Sequence, residues 1–435
     1  MGPMMPPKRP ILDDCFLHDR DRLKHAEALE ILRQRVTPVV EAEPVATLSA
    51  LGRTLAEPVS AVRAVPPNAN SAVDGYAFAY ADYDKAAGST FPVVGRAAAG
   101  HPLSEPAPRR GAVRIFTGAV MPAGLDTVVM QEDTTLETPD GGSGAFVHVS
   151  GGLRSGANVR KAGEDVVAGQ LMLEAGDELR PQDLAALASV GVAEVVCYRR
   201  LRVGLVSTGD EIVRLGARPL ADGEIFDANA PMLAGLVGLC GAETIDLGVW
   251  PDQEAEVHRR LLDAAGRCDV IITSGGASRA EEDHMVRALE VLGRRHLWQL
   301  AIKPGRPMSF GQVGGTVVLG LPGNPVAVLV CFLLYAAPVL RRLGGGRWRE
   351  PRRFPLPAAF AFPGRKTGRR EFWRGILQHD AAGRLEVAKF DRDGSGLISG
   401  LRAADGLIEI AEDVPEVKHG DLVSFIPFAE FGIRR

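Results

Sequence analysis

Between residues 201 and 343, short apolar strings alternate with helix-forming segments, and this alternation constrains the fold more than any other feature of the chain. Strings at 202–207, 243–249, 269–273 and 316–320 read as strands. Segments at 230–239, 253–265, 283–292 and 326–340 read as helices. Strands separated by helices build a mostly parallel, doubly wound α/β sheet. Loops that leave the C-terminal ends of its strands share one edge, where such sheets bind ligands. A chain of 435 residues exceeds one ordinary core, so other domains must flank this one.

The flanks have different textures. Residues 1–19 read as a loose tail, and they lack the apolar stretch of a signal peptide. A helix is predicted over 21–36, with Leu23, Ala26, Leu29, Ile31 and Leu32 as its apolar stripe. A second helix is predicted from Thr47 to just before Pro58. The stretch 64–149 is rich in Gly, Pro and short β-prone strings, which makes it a small β-rich module. A short helix follows at 181–189 and a strand at 192–198. Beyond a Gly-rich basic linker at 344–351, strands at 372–377, 384–390, 406–410 and 422–427 predict a compact C-terminal β-barrel.

Bulk charge narrows the partners. A net charge of −4 and a pI near 6.2 do not indicate general nucleic-acid binding, so any anion must be met by local cationic loops. The cysteines Cys15, Cys197, Cys240, Cys268 and Cys331 form no CxxC pair and read as buried free thiols of a reducing compartment. The apolar run 326–340 is short for a bilayer and contains Pro338, so a core helix is expected rather than a membrane span. A cytoplasmic protein is therefore predicted.

Several loops carry chemistry. Lys303-Pro304-Gly305-Arg306-Pro307 is a stiff turn with two cations. Leu321-Pro322-Gly323-Asn324-Pro325 opens the long apolar helix, where free N–H groups favour anions. Together they suit a phosphate-bearing ligand. Asp210 and Glu211 end a strand, where they serve either as helix-capping acids or as a pair that binds Mg²⁺ or orients a ligand. Thr273-Ser-Gly-Gly276 allows close approach of backbone to a ligand or is simply a tight turn. The Asp74-Gly75 turn, Thr117-Gly118 and Gly163-Glu-Asp165 each read as structural when taken alone. Asp391-Arg-Asp393-Gly394-Ser-Gly396 echoes a calcium loop, but Arg402 stands where the bidentate Glu belongs. The nine histidines show no metal-ligand spacing.

Seven segments occur in one order: Asn70-Ser-Ala-Val-Asp-Gly-Tyr-Ala77, Thr117-Gly-Ala…Pro122, Gly163-Glu-Asp165, Ser207-Thr-Gly-Asp-Glu211, Thr273-Ser-Gly-Gly276, Lys303-Pro-Gly-Arg-Pro307 and Gly320-Leu-Pro-Gly-Asn-Pro325. On these the chain resembles the molybdopterin molybdenumtransferase (MoeA) family, which is related to the gephyrin E domain. The resemblance implies a homodimer with a helical dimerisation domain made of residues 20–62 and 161–200. It places a β-rich insert at 63–160, an α/β molybdopterin-binding-like domain at 201–343 and the barrel at 351–435. The implied reaction inserts molybdate into adenylylated molybdopterin with Mg²⁺ present, releasing AMP and molybdenum cofactor. Molybdopterin adenylyltransferase and molybdoenzyme apoproteins are the implied partners. An adenylyltransferase, a gephyrin-like scaffold and a tungstate-handling paralogue are the alternatives.

By motif, the resemblance assigns Asp74, Thr117, Glu211, Asp283 and Lys303 to catalysis. It assigns Ser71, Asp165, Asp210, Asp252, Ser274, Gly275, Gly276, Arg306, Pro322, Gly323, Asn324, Pro325, Arg374 and Ser395 to substrate binding. Glu211, Asp210 and Asp283 are its magnesium candidates. Asp74 and Thr117 are expected from one subunit and the α/β acids from the other. One departure stands out: Gln299 occupies a position where members often carry a second lysine, and it lacks that charge. Arg306 replaces a common lysine, and its fork suits oxyanions.

Overall fold

The computed structural model describes residues 22–139, 144–275 and 284–434. A six-stranded sheet lies at its centre, ordered 243–250, 202–208, 270–274, 316–321, 307–313, 294–299. The first four strands are mutually parallel. Pro307–Val313 runs antiparallel to both of its neighbours, so the sheet is mixed rather than purely parallel. The chain ahead of the cationic turn forms two separate strands. Arg294–Gln299 belongs to this sheet, whereas Ile302–Lys303 pairs with Arg370 and Glu371 of the barrel.

Alternation along the strands fills both faces. Val203, Leu205, Val270, Ile272, Val317 and Leu319 face one cluster with the helices Asn229–Leu239 and Pro325–Leu343. Val206, Ile271 and Val318 face the other, with Glu254–Arg267 and His284–Leu292. The helix Pro325–Leu343 is longer than expected and passes through Pro338. Proline removes an N–H and crowds the carbonyl four residues earlier. The helix accommodates this with a π-helical turn at Phe332–Ala336. It is long and apolar enough to cross a membrane, but 83% of its most apolar window is buried, so it is a core helix.

The helix His25–Arg35 packs Ala28, Leu29 and Leu32 into that same central cluster. The predicted second helix is absent: Thr47–Ser49 is one 3₁₀ turn, and Thr54 and Leu55 make strand bridges instead. Gly52 at φ +69° breaks the helical path. Ala42–Ala46 pairs antiparallel with Glu194–Tyr198, and Val59–Ser60 pairs with Leu171–Leu173. This part of the chain is mixed α/β, not mainly helical.

The insert is a six-stranded sheet ordered 127–130, 75–78, 112–115, 89–97, 146–149, 134–137. The C-terminal barrel closes because Phe354–Pro357 pairs with Leu422–Pro427 while Ala358 bridges to Val387 on Leu385–Lys389. A short helix at Ile398–Ala403, not foreseen in the sequence, packs against its strand Arg370–His379. Cys197, Cys268 and Cys331 are buried free thiols, and Cys240 is a half-buried one.

Candidate active site

The two Pro/Gly loops meet. Gly305 has φ +102°, and a Cβ there would lie 2.4 Å from Cys331 Sγ on the helix that the second loop opens. Only glycine fits that contact and that dihedral. Cys331 Sγ in turn donates to the Gly305 carbonyl at 3.5 Å. The second loop is fastened separately: Asn229 Nδ2 donates to Gly323 O at 2.7 Å. Both loops wall a cleft of about 660 Å³, whose far side is the barrel.

Lys303, Pro304, Gly305, Pro322, Gly323 and Asn324 line this cleft, and Gly275 closes one end. The barrel contributes Phe372, Trp373, Arg374, Lys389, Phe390 and the segment Asp393-Gly394-Ser395. The segment that echoes a calcium loop is thus part of the wall. Lys303 lies 3.8 Å from Glu371 Oε2. Glu371 is almost fully buried, and it also accepts from Trp373 Nε1 at 2.9 Å and Arg369 Nε at 3.0 Å. Arg374 lies over the Phe390 ring and donates to the carbonyls of Leu397 and Arg392. Carbonyls satisfy its donors without cancelling its charge. Burial lowers its pKa from the usual guanidinium value, which an anion in the cleft would oppose.

Two expectations need correction. The helix N-terminus withholds its first two positions from a ligand: Pro325 has no N–H, and Val326 donates to Ser395 O at 2.9 Å. Ser395 therefore fastens the barrel to the helix through its backbone. Arg306 is exposed but is not part of the cleft wall; its carbonyl accepts from Leu300 N–H, which turns the loop back.

The acidic residues sit beyond Gly275. A Cβ on Gly275 would lie 2.8 Å from Thr208 Oγ1, so this loop abuts the end of strand Arg202–Thr208. That is the point where strand order reverses in the sheet. Gly209, at φ +129°, carries the Glu211 carboxylate folded over its Cα. Asp210 Oδ1 accepts from the Asp252 backbone N–H at 3.4 Å, and Asp252 Oδ1 is 3.5 Å from His284 Nε2. Ser274 is buried within its strand. Gly276 and Asp283 lie outside the described residues. Among the described residues, no three His, Cys, Asp or Glu side chains gather as a metal centre. Of the magnesium candidates, the described residues include Asp210 and Glu211 but not Asp283.

Asp74 and Thr117 meet on the insert. Thr117 donates to Asp74 Oδ1 through both its backbone N–H and its hydroxyl, each at 2.8 Å. Those two bonds, the backbone one first, hold the Asp74 carboxyl below the usual carboxylate pKa. Ser71 is fully buried, and its hydroxyl donates to Val73 O, so it shapes the Asp74 turn rather than facing a ligand. Asp165 is exposed, and its backbone N–H donates to Val65 O. Among the described residues, none from the insert lines the cleft.

Asn229, Trp373 and Lys389 carry no local sequence signal, and Asp393 is marked only by the calcium-loop echo.

A doubly wound α/β domain whose cationic cleft is closed by a β-barrel defines a multidomain protein of mixed α/β and β-rich parts. The chain matches the MoeA N-terminal region (domain I and II) over residues 23–191, a probable molybdopterin binding domain over 204–342 and the MoeA C-terminal region (domain IV) over 356–428. It is 39% identical over 380 residues to a molybdopterin molybdenumtransferase of Haemophilus influenzae, covering 87% of this chain and 92% of that one. It is 30% identical to gephyrin of Dictyostelium discoideum, covering 73% of this chain and 49% of that one. A crystal structure of the MoeA protein of Pyrococcus horikoshii superposes with TM-score 0.78 at 30% identity, covering 94% of this chain and 99% of that one. The chain belongs to the molybdopterin molybdenumtransferase (MoeA) family.

Proposed function

We propose that this protein is a molybdopterin molybdenumtransferase that inserts molybdate into adenylylated molybdopterin, releasing AMP and forming molybdenum cofactor. One observation carries the reading: Lys303, on the short strand that joins the barrel's sheet, and Arg374, on the neighbouring barrel strand, line a single cleft walled by two rigid Pro/Gly loops. Two cations in one cleft stabilise a tetrahedral dianion, and the forked guanidinium orients it. Phe390, half-buried in the cleft wall, offers flat apolar surface to a pterin or adenine ring. The barrel's share in the wall disfavours a plain adenylyltransferase, which needs no barrel.

Asp74 and Thr117 lie outside this cleft, so in this reading they reach the cleft of a partner subunit. A cytoplasmic homodimer follows as part of the proposal, as does handover to molybdoenzyme apoproteins. In the reaction, the two dithiolene sulfurs bond to molybdenum in place of an oxo ligand of molybdate, which leaves as water with the two thiol protons, and water cleaves the phosphoanhydride so that AMP departs. The ionised Asp74 and the Glu211 carboxylate orient the adenylylated end of the substrate, and Lys303 holds the oxometalate. Magnesium remains an expectation from the family resemblance alone.

The test is reconstitution from purified protein, adenylylated molybdopterin and molybdate, read out as AMP release and activation of a cofactor-free molybdoenzyme. Asp74→Ala and Glu211→Ala should each abolish both signals, and mixing the two variants should restore part of them in hybrid dimers. Full activity in both single variants would remove the site assignment.

A further inference from the structure

Three cationic side chains and one carboxylate line the cleft: Lys303, Arg374, Lys389 and Asp393. Lys303 and Arg374 belong to the reading above, whereas Lys389 has no assigned role. It ends strand Leu385–Lys389, opposite Gly375 in the antiparallel register. Its stem runs past two rings, with Nζ 5.7 Å from the centre of Trp373 and 5.6 Å from that of Phe362. The ammonium ends 2.7 Å from Asp393 Oδ1. Trp373 is also tied, through Glu371, to Lys303. Two ammonium groups therefore flank one indole on the same cleft wall.

Their counter-charges differ. The Glu371 side chain is 2% exposed and is held by Arg365 and Arg369 as well, so it cannot leave. The Asp393 side chain is 60% exposed, on a loop where Gly394 has φ +149°. Turning Asp393 out to water costs little, because an exposed ion pair contributes little. It would leave Lys389 as a nearly buried cation, only 12% exposed and facing the cleft. Gln299, by contrast, supplies no charge, and its carbonyl is occupied by Leu23 N–H at 3.0 Å.

We propose that Lys389 is an oxyanion-binding residue of this cleft and that Asp393 is a displaceable counter-charge which an incoming dianion replaces. The ligand chemistry is a tetrahedral, doubly charged oxyanion: molybdate itself or the phosphate of the nucleotide. This rests on the proposed function only for the ligand's identity. Lys389 would then restore from the barrel a charge that position 299 lacks.

The experiment measures binding, apart from transfer, by equilibrium dialysis of the full chain against molybdate and, separately, against AMP. Lys389→Met should weaken one of them about tenfold, the loss expected for a hydrogen bond to a charged group. The arm that responds identifies the oxyanion. Lys389→Arg should keep most of the affinity. Asp393→Asn should tighten the same arm several-fold. Because Asp393 is exposed, that variant tests the idea even if Lys389→Met disturbs the barrel through Trp373. Unchanged affinity for both anions in Lys389→Met, or in Asp393→Asn, overturns the proposal, as does wild-type protein that binds neither. Charge-dependent binding without AMP release would instead remove the transferase reading and leave this one standing.

Discussion

Gly305→Ala probes the joint on which the cationic loop rests. A side chain at φ +102° costs about 1–2 kcal/mol in the backbone alone. The new Cβ would also stand 2.4 Å from Cys331 Sγ, and forcing such a contact into a packed core costs about 1–3 kcal/mol more. Cys331→Ala removes the obstructing sulfur and by itself should cost about 1 kcal/mol, the ordinary loss for a small buried truncation. In the double variant the steric part disappears while the backbone part stays. The pair should therefore be non-additive, with a coupling of about 1–3 kcal/mol in favour of the double variant. Urea unfolding of the four proteins measures this, and molybdate dependence of transfer measures whether Lys303 has moved. Additive stabilities, or a Gly305→Ala protein as stable as wild type, would refute the contact between the loops.

His25 supplies a pH test. It is 1% exposed, its Nδ1 is 2.7 Å from Tyr335 OH, and burial lowers its pKa to about 4. The unfolded chain takes up that proton near 6.5, so stability should fall as pH drops below 6.5, with about 3 kcal/mol lost by pH 4. His25→Gln should flatten that slope in urea titrations at successive pH values. Thr117→Val removes one donor to Asp74, so the Asp74 pKa should rise toward the ordinary carboxylate value, seen as an upward shift of its carboxyl resonance titration. Asn229→Ala frees the Gly323 carbonyl and should cost about 1 kcal/mol while raising the substrate KM; an unchanged KM would remove Asn229 from the support of that loop.

Local pattern carried much of this protein. The period of the apolar residues placed the four parallel strands and the helices of 201–343 but not the antiparallel strands Arg294–Gln299 and Pro307–Val313, and the doubled prolines marked both loops that wall the cleft. Such signals are short-range: a strand face or a stiff turn depends on residues a few positions apart. The same logic failed at 47–57, where Gly52 and pairing with distant strands outweighed helical propensity. It failed again at Pro325, whose helix end looked open until Ser395 capped it.

What the sequence by itself determined was the parallel strands and helices of the α/β domain, the rigid loops and the family motifs they carry. Only the tertiary structure decided which cations share a cleft, which way Arg306 turns and which carboxylate faces Lys389. Those outcomes depend on the docking of the barrel against the α/β sheet. That contact is made between residues far apart in the chain, where no local periodicity records it.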